Sequence, residues 1–361
     1  VINGMNNNEF VYWDIEEHTL IKHKSIDDYI DKWVQILGKY NDLTIFDCYG
    51  GNGIYKNSKG DIFLGSPLLI LKSIQKYHNK TGISAKLVVI EKNKNIITNL
   101  RKVIENHGLE DFCVILNNDF AKDALEIIEL YKSDANFFFI DPFGYDIDFK
   151  ILEYIMALEK TEIVLNFMYN GINRGISVES VHPLINRLFG CSDWIDCKGL
   201  EKQEREEKIM SIYKNQCKSI ARFVFPYRLC FPDKDRTYYY LFHMSNNLKG
   251  SIIMKSSFAK FNYGRVEYLG KLKDQDTIFD ILKSDFTQDY LIEVFEGQIK
   301  TYDAIIEAII DECPYLESDL RNALKKAEKE NSIIVNRITS KTTRGLSGED
   351  TIHFKEKDER N

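Results

Sequence analysis

One apolar run in the chain ends in a group with specific chemistry: Phe137-Phe138-Phe139-Ile140 leads into Asp141-Pro142-Phe143-Gly144. An exocyclic amine on a nucleobase is a poor nucleophile because its lone pair is delocalised into the ring. A carboxylate and a proline carbonyl can accept its two hydrogens and push the nitrogen towards sp³ geometry, while an aromatic ring stacks on the base. Proline suits the position because its φ is fixed and it has no N–H to compete. A plain strand-end turn, with the aspartate capping a loop, would use the same residues. A second cluster, Asp47-Cys48-Tyr49-Gly50-Gly51-Asn52-Gly53, sets three glycines behind a short apolar run, where backbone can pass close to a ligand or simply turn. Glu91 closes the next apolar run, where an acid commonly hydrogen-bonds the two ribose hydroxyls of a nucleotide-like cofactor. It stands 44 positions beyond Asp47, against roughly 20 in a dinucleotide fold, which disfavours NAD and predicts an inserted loop over 54–65. Asp119 follows a further apolar run and can accept from an adenine amine or close a turn.

The stretch Trp13 to His23 is rich in functional side chains, with His18, Lys22 and His23 expected ahead of the first helix. Lys22 and His23 are candidates to reach the site. Neither has metal-ligand partners at useful spacing, and no metal is expected.

These residues need a frame. Ile26, Tyr29, Ile30, Trp33 and Leu37 share one face at helical spacing, predicting a helix over 26–37. Short apolar runs at 43–47, 86–91, 112–116, 136–141 and 162–167 alternate with helical stretches, one of them starting at a Ser66 N-cap with Pro67 behind it. Such alternation implies an open parallel sheet with right-handed crossovers. Asp47, Glu91, Asp119 and Asp141 should then gather at the carboxyl ends of the strands, where ligands bind in such sheets. A charged helix over 201–222 precedes two β-rich runs, 223–231 and 237–244, which read as an antiparallel edge hairpin. The expected fold class is α/β, a class I methyltransferase-like (Rossmann-like) sheet over 5–273, with Val1–Gly4 ahead of Met5 left aside.

Beyond Asp274 short helices, a helix over 316–331 and a two-stranded ribbon read as a winged-helix domain, 274–361. Its third helix turns Arg321, Asn322, Lys325, Lys326 and Lys329 outward, and the wing, 336–347, carries Arg337, Lys341 and Arg344 without an acid. That is a local phosphate-binding surface. It has to be local, since 48 basic residues against 55 acidic ones leave a net charge of −7, which excludes bulk attraction to nucleic acid. Seven scattered cysteines without CxxC pairing fit reduced thiols better than a disulfide framework or zinc ribbon. With no apolar run long enough for a membrane and no signal segment in view, a cytoplasmic protein is expected.

Taken in order, His18-Thr19, Lys22-His23, Tyr29, Trp33, Ile36-Leu37, the Phe46 to Gly53 turn with Tyr55, Gly65-Ser66-Pro67, Glu91 and Asp141-Pro142-Phe143-Gly144 resemble the three-Cys-motif partner proteins, TcmP. The resemblance runs from about Trp13 past Met244, and the C-terminal part resembles the winged-helix tail of many members. It implies S-adenosylmethionine as cofactor and a partner protein with a three-cysteine motif, similar to radical-SAM-type proteins. It also brings Lys22, His23, Tyr55 and Ser66 in as substrate or accessory residues. Asp-Pro-Phe-Gly further resembles the motif of tRNA guanine-N2 dimethyltransferases. One departure is Asp47-Cys48-Tyr49-Gly50-Gly51, where members usually have Asp-Gly-Phe-Ala-Gly.

The leading expectation is an S-adenosylmethionine-dependent N-methyltransferase acting on a nucleobase amine in DNA or RNA. Asp47, Gly50, Gly51, Gly53, Glu91 and Asp119 would bind the cofactor, and Asp141 to Gly144 would orient the amine. A non-catalytic scaffold that docks the partner and touches nucleic acid through the winged helix is the alternative. A small-molecule methyltransferase is disfavoured by the appended domain, and an oxidoreductase by the spacing to Glu91.

Overall fold

A computed structural model describes residues 10–142, 144–231, 236–262, 267–268, 278–338 and 345–359, and the chain divides into two compact units, Val1–Lys271 and Leu272–Asn361.

The first unit opens with β1 (Trp13–Asp14) and a long helix, α1 (Glu17–Leu37). That helix begins well before Ile26, so His18, Lys22 and His23 lie on its first turns rather than in a leader. The fully buried β2 (Leu43–Asp47) follows. Where a loop was expected over 54–65, a hairpin forms: β3 (Ile54–Lys56) pairs antiparallel with β4 (Ile62–Leu64) and parallel with β1. Next come α2 (Ser66–Thr81), β5 (Ala85–Ile90), α3 (Lys94–Asn106), β6 (Cys113–Leu116), α4 (Phe120–Tyr131), β7 (Ala135–Ile140), α5 (Phe149–Met156) and β8 (Thr161–Phe167). The N-cap of α2 is Gly65 rather than Ser66, and no side chain caps it.

After β8, α6 (Tyr169–Gly175), α7 (His182–Phe189) and α8 (Lys202–Lys218) lead to β9 (Phe223–Cys230), β10 (Thr237–Ser245), α9 (Leu248–Lys260) and β11 (Glu267–Tyr268). The sheet order is β11-β9-β10-β8-β7-β2-β5-β6. Strands β6, β5, β2, β7 and β8 are parallel, and β10 slots antiparallel between β8 and β9. This order, with one reversed strand inserted next to the edge, is the class I methyltransferase-like arrangement. Residues of β2, β7 and β8 are buried along their whole length, as strands covered on both faces must be. Phe46 stacks on Phe138 across β2 and β7 at 4.4 Å, fixing the register of the two strands that carry Asp47 and Asp141.

The second unit holds α10 (Ile278–Val294), β12 (Ile299–Thr301), α11 (Tyr302–Ile309), α12 (Glu317–Lys329), β13 (Ile333–Asn336) and β14 (Thr351–Phe354). Its antiparallel sheet has the order β12-β14-β13. Three helices and a three-stranded sheet with a long excursion between the last two strands make a winged helix, and β12 is a strand the sequence pattern does not reveal. Leu320, Ala323, Leu324 and Ala327 form the buried face of α12.

Arg321 and Arg337 are engaged within this unit. Arg321 pairs with Glu317 at 2.6 Å, donates to the Leu346 carbonyl and lies over the Tyr302 ring. Arg337 makes a two-pronged pair with Glu328 at 2.6 Å and donates to the Gly345 carbonyl. Both therefore tie parts of the domain together, and each already has a carboxylate partner. Asn322 and Lys329 are exposed, Lys325 and Lys326 half-buried, and Lys341 and Arg344 lie outside the described residues. Arg337→Ala is expected to cost about 2 kcal/mol of stability, the loss of charge-assisted hydrogen bonds, in a thermal melt. An unchanged melt would show that the pair contributes nothing.

Candidate active site

Four strand ends deliver four acids to one rim: Asp47 at the end of β2, Glu91 just past β5, Asp119 after β6 as N-cap of α4, and Asp141 just past β7. Each has a different environment.

Asp47 is fully buried, and the Ser66 hydroxyl and Tyr49 N–H stand near its carboxylate without forming a well-aligned hydrogen bond. Burial pushes its pKa up to about 7; the Ser66 hydroxyl and the Tyr49 N–H, which face it, counter only part of that. Ser66, freed from capping α2, has its place here. Glu91 is organised by backbone: its Oε2 accepts from the Gly51 N–H at 3.3 Å and its Oε1 from the Asn93 N–H at 2.8 Å. Asp119 leaves one buried oxygen without a partner. Glu91 and Asp119 line a cavity of about 450 Å³, with Tyr49, Asn93, Ile96 and Asp146 completing its wall. Cys48 and Tyr49, the bulky departures in the glycine turn, also line it. Tyr49 is anchored by its hydroxyl, which donates to the Asp146 carbonyl.

The glycines are required by protein packing. A Cβ on Gly50 would collide with Val89, and one on Gly53, at φ +75°, would stand 2.5 Å from Leu100. What they secure is the close seat of the turn on β5 and α3, with the Gly51 N–H aimed at Glu91. The glycine pattern suggests a ligand where these neighbours are. Over the same turn lies the segment ahead of β1: Asn52 donates to the Val11 carbonyl, and Asn99 joins Asn52 and Val11.

Asp141 is held from two sides. Lys22 Nζ reaches its Oδ2 at 2.5 Å, and Asn166, on β8, donates to its Oδ1 at 2.5 Å. Burial raises the pKa of this carboxyl, but the Lys22 ammonium and the Asn166 amide outweigh that and hold it below the usual carboxylate range. The lysine itself is buried against the rings of Phe139 and Tyr239, 5.8 and 5.6 Å from their centres. His23 is buried beside Tyr55, ring centres 5.3 Å apart. Burial, with the nearby Lys22 charge, pushes His23 down to about 3 and His18 to about 4, so both are neutral. Pro142 is buried, Gly144 has φ +89°, and Phe143 lies outside the described residues.

Sequence reasoning missed Asn166. A lone amide in the apolar run Ile163-Val164-Leu165-Asn166-Phe167 was the available signal, since a buried amide needs a partner. It also missed Tyr239, which donates to the His18 carbonyl at 3.5 Å.

The donor set fits the adenosine-bearing, cationic cofactor that the resemblance implies. Glu91 and Asp119 face the cavity, where they would take ribose hydroxyls and an amine, and the enclosed Asp47 carboxylate behind them would suit an ammonium. Among the described residues, no group of three or more His, Cys, Asp or Glu could hold a metal ion, and no helix is long and apolar enough to cross a membrane.

No family model matches the chain, and no curated protein matches it. Among solved structures, a protein from Legionella pneumophila is 12% identical, with 68% of this chain and 93% of that one covered and a TM-score of 0.43. An rRNA methylase from Streptococcus thermophilus is 9% identical, over 64% of this chain and 97% of that one, with a TM-score of 0.33. An O-methyltransferase from Bacillus cereus, solved with SAH, is 16% identical over 65% and 84%, with a TM-score of 0.36. The assignment to a class I methyltransferase-like fold rests on this chain's own strand order.

Proposed function

We propose that this protein is an S-adenosylmethionine-dependent methyltransferase that modifies an exocyclic amine of a nucleobase in DNA or RNA. The observation that carries the reading is the rim itself: a buried Asp47 beside the glycine turn, one strand away from an Asp141-Pro142 pair whose carboxylate is kept ionised. When bound, the cofactor supplies an electrophilic methyl group on a sulfonium. Asp47 would hold its amino group, Glu91 its ribose and Asp119 its adenine.

Asp141 then acts on the acceptor. Each of its oxygens is engaged once, by Lys22 or Asn166, and a carboxylate has about four acceptor sites in all. It can therefore still take a hydrogen of the amine, and the Pro142 carbonyl the other. With its pKa depressed, Asp141 is a weak base, so it orients the amine in the ground state and takes the surplus proton only once nitrogen has become cationic. Orientation supplies most of the rate in such a site. His18 and His23, neutral at the base of the Lys22 stem, add no competing charge.

The resemblance to the TcmP family adds a three-Cys-motif protein as partner, and the winged helix, through Lys325, Lys326 and Lys329, a second contact to nucleic acid. The buried Lys22–Asp141 pair supports one other reading, in which the acid is permanently neutralised and the body is a scaffold for that partner. Calorimetric titration separates the two. The parent chain should bind S-adenosylmethionine, and Glu91→Ala should weaken binding about 30-fold, the value of a lost charge-assisted hydrogen bond. Mass spectrometry of DNA and RNA from cells expressing the chain with its genomic neighbours should show a methylated base. Absence of both cofactor binding and modified base would leave the scaffold.

A further inference from the structure

A groove of about 1150 Å³ is lined by α6, the start of α8 and the paired strands β9 and β10. It opens beside the carboxyl end of β8, on the sheet face opposite Lys22 and Asn166, since successive residues of a strand point to opposite faces. Tyr240 pairs with Phe167 in the sheet, one residue from the Asn166 that grips Asp141, and the preceding Tyr239 packs by Lys22. In a chain of net charge −7, the groove gathers five cationic side chains, Arg174, Lys202, Arg205, Arg228 and Arg236, against three carboxylates.

Of those carboxylates, Glu206 is spent inside the wall: it accepts from the hydroxyls of Tyr240 and Thr237 and lies 3.7 Å from Arg228. Arg205 is braced by the Leu200 carbonyl at 3.1 Å. Arg174 and Arg236 are exposed at the groove. The N-terminus of α8 also opens into it: Gly199 to Gln203 line the groove, and no side chain caps the helix at Glu201. Uncapped N–H groups at the positive end of a 17-residue helix favour an anion. Spaced arginines plus a helix terminus suit a run of phosphates rather than one small acid.

We propose that this groove binds the phosphodiester backbone of a single-stranded polynucleotide on the flank of the base held at Asp141. The proposal rests on the methyltransferase reading for the identity of that base, while the groove's affinity for phosphates can be measured independently. Proximity would then come from the backbone, leaving Asp141 and Pro142 only the amine to orient.

The test uses the full chain and labelled single-stranded oligonucleotides of about twelve nucleotides, one RNA and one DNA of the same sequence, in anisotropy titrations across a salt series. Expected for the parent is salt-dependent binding, with the tighter of the two oligonucleotides identifying the polynucleotide. Arg174→Glu/Arg236→Glu should weaken it at least tenfold and flatten the slope of log K against log salt by about 0.7 per lost phosphate contact. Both residues are exposed, so the fold should hold, checked by circular dichroism, and cofactor affinity should stay within twofold. Lys325→Glu/Lys326→Glu, in the other unit, is the comparison. The proposal is overturned if the groove variant binds as the parent does, if only the winged-helix variant loses affinity, or if neither oligonucleotide binds at low salt. Loss of cofactor binding with oligonucleotide binding intact would instead remove the methyltransferase reading and keep the groove.

Discussion

Asp141→Asn should lower methyl transfer by a factor of about 10³ or more while the affinity for S-adenosylmethionine changes less than threefold. The size follows from what the carboxylate does. It is the charged acceptor placed where the amine nitrogen becomes cationic, and removing one preorganised partner of developing charge costs about 10² to 10³ in rate. Loss of the proton acceptor adds to that. The substitution also strands the buried Lys22 ammonium, 2.5 Å from the lost charge, and breaking one side of a buried ion pair costs about 3–5 kcal/mol. A single variant could thus lose activity by unfolding. The double variant Lys22→Met/Asp141→Asn removes both charges and is expected to recover most of the melting temperature with no recovery of transfer. Transfer at the parent rate in either variant refutes a catalytic Asp141. Recovery of activity together with stability would reduce it to a structural partner of Lys22.

The same contact shows what the sequence could and could not convey. Strand ends are legible because β2, β7 and β8 are buried on both faces and read as continuous apolar runs, each stopped by a polar residue. The acids that follow such runs mark the rim in the sequence pattern itself. Pairings that arise only when distant elements meet are not legible. Lys22 and Asp141 are separated by 119 positions, and nothing in the local pattern around Lys22 marks it as buried, since a lysine on a helix is normally solvated. The start of α1 escapes the pattern for a related reason. Its first turns carry His18, Lys22 and His23 inward, so the apolar stripe that announces a helix begins only at Ile26. The hairpin β3–β4 reads as a loop because its strands have three residues each, too short for an alternating pattern to stand out. In the winged helix, composition suggests a basic surface, but Arg321 and Arg337 serve Glu317 and Glu328. Counting charges on a face cannot tell a phosphate-seeking arginine from one already paired.

Cofactor binding should carry the signature of Asp47. In the free protein burial raises this carboxyl to about 7, so below that pH the folded chain holds it protonated. A cation needs the ionised form. The sign is therefore fixed: affinity for S-adenosylmethionine is full above pH 7 and falls about tenfold for each unit below it, roughly a hundredfold by pH 5. Calorimetric titrations from pH 5 to 8 read this directly, and Asp47→Asn should give weak binding with no such slope. Stability supplies an independent check, because for this group it runs the other way. Between pH 7 and the ordinary aspartate value the folded state takes up a proton that the unfolded chain does not, so acidification stabilises the fold through Asp47. His18 and His23, lowered to about 4 and about 3, do the opposite. Below pH 6.5 the unfolded chain protonates them and the folded chain does not, so stability drains away down to about pH 3. In the parent the single carboxyl offsets only part of the loss from the two histidines. Asp47→Asn removes that offset, and its melting temperature should fall more steeply than the parent's between pH 6.5 and 4. A parent whose cofactor affinity is flat from pH 5 to 8 would show that Asp47 does not face the cation, and would move the amino group's partner elsewhere on the rim.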